Sequence, residues 1–193
     1  MIRERDFIQN KKITLKKLEL AKKENLVDKD MIPLLDIINS YEEYYTSSSC
    51  YGRIVLLELP EIGDKRNAKF LGKWHRKIKK NEILNSIKKS SKGQLWFLVQ
   101  SPILHIFSKD IISADKLVKI AISCGFKNSG FRSIKKNIVV ELTSTERIDA
   151  PLGLDGNLYF KDNYLDFLLY LANKEFDRFS KKFEKFKKEL NNI

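Results

Sequence analysis

Cysteine is nearly absent from this chain: two of its 193 residues, Cys50 and Cys124, far apart and outside any CxxC pair. That argues against a disulfide scaffold and a cysteine-rich zinc site, and it suits a reducing, cytoplasmic setting. No metal is expected. No apolar run approaches the roughly 18 residues that cross a bilayer, so no membrane is expected as a partner. The opening residues, Met1-Ile2-Arg3-Glu4-Arg5-Asp6, are charged with no apolar stretch behind them, unlike a secretory signal. Eight Gly and four Pro are too few for a collagen-like or low-complexity chain. The signatures GxGxxG, GxxxxGK(S/T), HExxH and GxSxG are all missing, so any nucleotide-like cofactor is bound without a Rossmann glycine turn.

What is present is a foldable chain with a lopsided charge. Hydrophobic residues make up 42% and charged residues 32%, with a net charge of +12. The length suits one domain over residues 1–193, divided into a helical N-terminus (4–40), an α/β core (44–160) and a long helix (162–190). Residues 65–92 hold eleven bases (Lys65, Arg66, Lys69, Lys73, Arg76, Lys77, Lys79, Lys80, Lys88, Lys89, Lys92) against one acid, Glu82. A band of this kind attracts polyanions, and nucleic acid is the partner it favours over a merely solubilising surface.

Periodicity places the elements. Phe7, Leu15 and Leu18 mark an opening helix; Met31, Leu34, Leu35 and Ile38 mark a second, with Asp30 as its N-cap and Pro33 in its first turn. Tyr41–Cys50 is a polar, hydroxyl-rich stretch. Arg53–Leu59 reads as a buried strand, residues 61–73 as a basic loop or exposed hairpin, and 77–90 as an amphipathic helix. Strands are expected at 94–99 and 103–107, a helix at 114–124 capped by Ser113 and ended by Gly125, and further strands at 130–133 and 138–142. In the last helix Leu165, Leu169, Ala172, Phe176, Phe179, Phe183, Phe186 and Leu190 keep a 3-and-4 spacing. Packing within the domain is the plain reading of that face; dimerisation or RNA contact is the alternative. The order of elements is α+β, with a middle that suggests two similar strand-rich α/β units.

Four polar patches carry what chemistry there is. Ser47-Ser48-Ser49-Cys50-Tyr51-Gly52-Arg53-Ile54 resembles a ligand loop with Arg53 as a fixed charge, although such a run is more often a plain turn. Gly72-Lys73-Trp74-His75-Arg76 sets an aromatic and an imidazole inside the basic band, where Trp74 is either a base-stacking surface or a core anchor. Ser101-Pro102-Ile103-Leu104-His105 puts an imidazole on a strand, as a base or as a hydrogen-bonded core histidine. The fourth pairs Ser123–Gly130 with Thr143-Ser144-Thr145, two small polar turns at strand ends. These residues by themselves describe a basic α+β domain that binds RNA and carries a polar site.

Taken in order, the patches resemble the wybutosine-synthesis methyltransferase family, which N-methylates 4-demethylwyosine in phenylalanine tRNA. The matching segments are VDKDMIPLLDIIN (27–39), SSSCYGRI (47–54), GKWHR (72–76), PILH (102–105), GFKNSG (125–130), STERIDAPL (144–152) and YLDFLLYLAN (164–173). The chain lacks the acidic tail of eukaryotic members, which looks archaeal. The resemblance implies S-adenosyl-L-methionine as methyl donor, on a duplicated α/β fold with N-terminal helices and a long C-terminal helix that is not a Rossmann methyltransferase. It also implies the anticodon region of tRNA(Phe) as partner, in a monomer or homodimer. Under that reading His75 or His105 would accept the proton, with His75 slightly ahead because it lies in the basic band. Arg53 would hold a carboxylate; Ser47, Ser49, Cys50 and Gly52 would line one wall of the site and Ser129, Gly130, Ser144 and Thr145 the other. Lys73, Trp74, Arg76, Lys77, Lys79 and Lys80 would meet the RNA. A non-catalytic tRNA-binding module is the competing reading.

Overall fold

The computed structural model describes residues 4–64 and 66–192; Lys65 of the basic band and residues 1–3 of the charged N-terminus lie outside it. In chain order the elements are α1 (Glu4–Lys23), a 3-10 turn (Lys29–Met31), α2 (Ile32–Ser40), β1 (Tyr44–Cys50), β2 (Arg53–Leu59), β3 (Lys69–Trp74) and α3 (Lys80–Ile87). Then follow β4 (Gln94–Gln100), β5 (Ile103–Ser108), α4 (Ile111–Ser123), β6 (Gly130–Ile134), β7 (Ile138–Thr143), β8 (Arg147–Leu154), β9 (Asn157–Leu158) and α5 (Asp162–Leu190). Every strand pair among the described residues is antiparallel. The architecture is therefore α+β, without the parallel crossover on which a Rossmann cofactor site depends. The chain divides into two compact units, residues 4–51, 102–145 and 179–192 forming one and residues 52–101 and 146–178 the other. No helix of the described residues is long and apolar enough to cross a membrane.

The first unit holds a four-stranded sheet of order β1-β5-β7-β6. Alternation along β5 buries Leu104, Ile106 and Ser108 on one face and leaves Ile103, His105 and Phe107 half-exposed on the other. One end of that second face is covered. Tyr45 stacks on Phe107 with ring centroids 4.7 Å apart, and Phe7, the buried residue of α1, lies 5.1 Å from Tyr45. Residues 179–190 of α5 contribute Phe179, Phe183, Phe186 and Leu190, all buried. Phe126 wedges between Phe183 (5.3 Å) and Phe186 (5.6 Å), and Tyr51 stacks on Phe183 at 4.8 Å. The 3-and-4 spacing predicted this core face residue by residue.

Two helix starts differ from expectation. Asp30 does not cap α2: a 3-10 turn over Lys29–Met31 comes first, and Pro33 still falls in the first turn of the helix. Asp110 rather than Ser113 caps α4, its carboxylate accepting from the Ser113 N–H at 2.7 Å, so the helix begins three residues earlier. Ser113 had the right chemistry, but a carboxylate three residues upstream reaches its amide.

The second unit holds a five-stranded sheet of order β3-β2-β4-β8-β9. Register puts Ile54, Leu56 and Glu58 of β2 on one face with Val99, Phe97 and Leu95 of β4, all buried. Ile83 and Ile87 of α3, with Leu165, Leu168, Ala172 and Phe176 of α5, supply the helical side of this core. Asn173 binds both backbone groups of Ile78, accepting from its N–H at 3.0 Å and donating to its carbonyl at 2.9 Å, which ties the start of the α3 segment to α5. Glu58 is buried within β2. Burial alone would raise its carboxyl, but the Ser91 N–H, the Ser90 hydroxyl and the Lys92 N–H hold it below the ordinary carboxylate value. The hairpin at 61–73 is realised as the β2–β3 pair. Strand β8 is unforeseen: Pro151 and Gly153 argue against a strand, yet Pro151 sits opposite Trp96 at a break in register, where the ladder loses a bond in any case.

Candidate active site

Ser47–Cys50, expected as a loop or turn, is the second half of strand β1. What distinguishes this strand is an irregularity. Thr46 pairs with Ile106 and Ser48 with His105, so Ser47 is an extra residue that the partner strand does not match. Asn39 fixes the bulge from α2: its side-chain oxygen accepts from the Thr46 N–H at 2.8 Å, and its amide donates to the Thr46 hydroxyl at 2.9 Å.

The bulge aims Ser48 at the open end of the sheet face. Ser48 Oγ lies 2.7 Å from His105 Nδ1, and His105 Nε2 lies 2.6 Å from Glu141 Oε2. The three residues stand directly opposite one another on β1, β5 and β7, and Gly130 of β6 faces Glu141 from the far side. A carboxylate only accepts hydrogen bonds. The His105 proton therefore sits on Nε2 toward Glu141, and Nδ1 receives the Ser48 hydroxyl. At Gly130 a Cβ would meet nothing within 4 Å, so the strand position that faces Glu141 is open. The result is an orientated imidazole with a hydroxyl at one nitrogen and a carboxylate at the other, half-exposed to solvent.

Around this row the other hydroxyls have separate duties. Ser129 accepts from the Thr143 N–H at 3.1 Å, and the Thr143 hydroxyl donates to the Pro102 carbonyl at 2.9 Å, so both secure the ends of β6 and β7. Asn128 reaches the Ser144 carbonyl at 3.4 Å; Ser144 is buried and Thr145 exposed. Ser47 is exposed, while Ser49 and Cys50 are half-buried. Asp28 accepts from the Tyr51 N–H at 2.8 Å, which fixes the chain just before Gly52 turns it at φ +94°.

In the second unit Arg53 opens β2 opposite Gln100, and its Nε donates to the Gln100 side-chain oxygen. His75 follows β3, half-buried. Trp74 lies with its ring over Gly72, where a Cβ would come within 2.0 Å of the ring, so the glycine is required by the tryptophan. Part of the basic band is ion-paired: Arg76 grips Glu82 through both nitrogens (3.2 and 2.6 Å), Lys80 meets Asp166 at 2.8 Å, and Lys77 meets Asp177. The Arg76 fork, together with the Lys79 N–H, holds the Glu82 carboxyl down at about 2. Lys73 and Lys79 are exposed.

Residues 9–192 match the family described as Methyltransferase TYW3. The chain belongs to the TYW3 methyltransferase family. It is 48% identical over 187 residues to the Pyrococcus horikoshii tRNA(Phe) 7-((3-amino-3-carboxypropyl)-4-demethylwyosine(37)-N(4))-methyltransferase 1, covering 96% of this chain and 95% of that one. It is 43% identical over 174 residues to the Methanocaldococcus jannaschii enzyme of the same activity, with 89% and 90% covered. Among solved structures, the PH1069 protein of Pyrococcus horikoshii superposes with a TM-score of 0.94 at 48% identity, covering 97% of each chain. A hypothetical protein from Aeropyrum pernix gives 0.76 at 28% identity, covering 86% of this chain and 98% of that one. Within this TYW3 family chain, reading the sequence alone passed over Ser48 and Glu141. A glutamate in the otherwise apolar run Ile138-Val-Val-Glu-Leu142 was the available signal for the second.

Proposed function

We propose that this chain transfers a methyl group from S-adenosyl-L-methionine to N4 of 7-(3-amino-3-carboxypropyl)-4-demethylwyosine at position 37 of tRNA(Phe). The observation that carries the reading is the near full-length match to relatives of that stated activity. When bound, S-adenosyl-L-methionine supplies an electrophilic methyl on a sulfonium. The donor set of the first unit fits such a group. Ser47 and Cys50 offer small polar side chains, Glu141 offers an acceptor for sugar hydroxyls, and Gly130 leaves its position open; Ser49, opposite Leu104, belongs to the other face of the sheet.

His105 is the residue we assign to the proton that the acceptor nitrogen loses. Glu141 holds the Nε2 proton and compensates the charge that the ring gains, while Ser48 relays the incoming proton to Nδ1. His75, half-buried just after β3, is the second candidate. Arg53, in the second unit, keeps Gln100 on its Nε and presents its two outer nitrogens as an end-on fork to the tRNA backbone. Lys73, Lys79 and the remaining bases of the band neutralise phosphates of the tRNA. The test is incorporation of labelled methyl from S-adenosyl-L-methionine into tRNA(Phe) isolated from cells blocked at this step. Label at base 37 is expected; absence of transfer by the folded protein contradicts the reading.

A further inference from the structure

Strand β3 is the outer strand of the second unit's sheet, and it carries Phe70 with more than half of its surface exposed, 56%. An aromatic of that size in water needs an account, because its burial elsewhere would be favourable. The register supplies one. Phe70 pairs with Leu57 and Lys73 with Val55, with Leu71 as an extra residue in between. Residues three apart on a regular strand point to opposite faces; the bulge puts Phe70 and Lys73 on the same one. Arg53, two residues from Val55, shares that face. The Lys73 ammonium lies 5.9 Å and the Arg53 guanidinium 6.0 Å from the centre of the Phe70 ring, at the outer limit of cation–π contact. An exposed ring flanked by two cations is complementary to one kind of surface above others: a planar base with its phosphates.

We propose that Phe70 is a stacking platform for an unpaired base of the tRNA substrate, with Lys73 and Arg53 meeting the adjoining phosphates. This rests on the RNA reading above and adds a residue and a binding mode to it. Trp74, the aromatic that the sequence singled out, is half-buried with its ring against its own backbone at Gly72, whereas Phe70 is exposed. Stacking on an aromatic is tolerant of base identity and is lost with the ring.

The experiment measures affinity of the full chain for two RNAs without any methyl transfer: an anticodon stem-loop hairpin and a blunt duplex of equal length. Phe70→Ala is expected to weaken hairpin binding by about five- to 150-fold and to leave duplex binding and the salt slope unchanged. Phe70→Trp is expected to restore hairpin affinity, and Phe70→Leu is not. Circular dichroism melting checks that each variant is folded. Unchanged hairpin affinity in Phe70→Ala overturns the proposal, and so does equal weakening for both RNAs. A change in oligomeric size without loss of RNA affinity also overturns it, by assigning the ring to a second copy. Wild-type protein that binds the hairpin yet never methylates tRNA contradicts the reaction and leaves the platform standing; wild-type protein that binds neither RNA sinks both.

Discussion

Ser48, and not its neighbour Ser47, faces the imidazole of His105. The bulge at Ser47 moves the register by one, so that Ser48 Oγ meets Nδ1 at 2.7 Å while Ser47 reaches only the His105 carbonyl, at 3.4 Å. In an unbulged strand of the same sequence Ser47 would take that place and Ser48 would turn to the opposite face.

The two serines should therefore separate kinetically. Ser48→Ala is expected to lower kcat, with little change in the KM for S-adenosyl-L-methionine, because it removes the relay hydroxyl. Ser47→Ala is expected to act on that KM and to spare kcat. Steady-state kinetics on precursor tRNA distinguishes them, and equal effects of both changes would remove the bulge from the account.

Asn39 should be costly to replace although it is remote from the substrate. Asn39→Leu leaves the buried Thr46 without both of its partners, a loss of about 1–3 kcal/mol in urea unfolding, with kcat falling as Ser48 loses its alignment. Asn39→Asp keeps the acceptor for the Thr46 N–H and should recover part of both.

The Phe face of α5 predicts a stability effect without a site effect. Phe183 is buried between Phe126 and Tyr51, and Phe183→Ala should lower the unfolding free energy by about 3–5 kcal/mol. Phe183→Leu should cost markedly less. Chemical denaturation reads both, and a loss below about 1 kcal/mol would mean that the ring is not in the core.

Acid should act through Glu82. Its folded value lies near 2, below the ordinary 4.5, so its contribution is present above about pH 4.5 and disappears as pH falls toward 2. The direction follows from the Arg76 fork and the Lys79 amide, which favour the charged form. Glu82→Gln should lower stability at neutral pH and flatten the decline of stability in that window. Parallel acid titrations by circular dichroism would show it; identical slopes in the window would contradict the pairing.

The legible parts of the chain were those where one periodicity dominates. Eight apolar residues of α5 read as one face from the sequence, and all eight are buried. Strand β1 was not legible because three consecutive serines show no alternation and a bulge breaks the period of two. Strand β8 hid behind Pro151, which a register break tolerates. Nothing local tells that β4 and β5, separated by Ser101-Pro102, enter different sheets. The same holds for the row at the site: His105 was visible as a residue, but its partners come from strands β1 and β7, and only sheet register brings them opposite it. Trp74 and not Phe70 stands out in the sequence, since a sequence does not reveal which of two aromatics on one strand is left exposed.

The assignment of the proton to His105 is tested most directly by the single-turnover rate of His105→Gln. Tight binding of tRNA and S-adenosyl-L-methionine is checked separately. The account predicts a methyl-transfer rate about 10²- to 10⁴-fold below wild type, with His75→Gln affected far less. A His105→Gln enzyme within about two-fold of wild type, or a larger loss in His75→Gln, would contradict it.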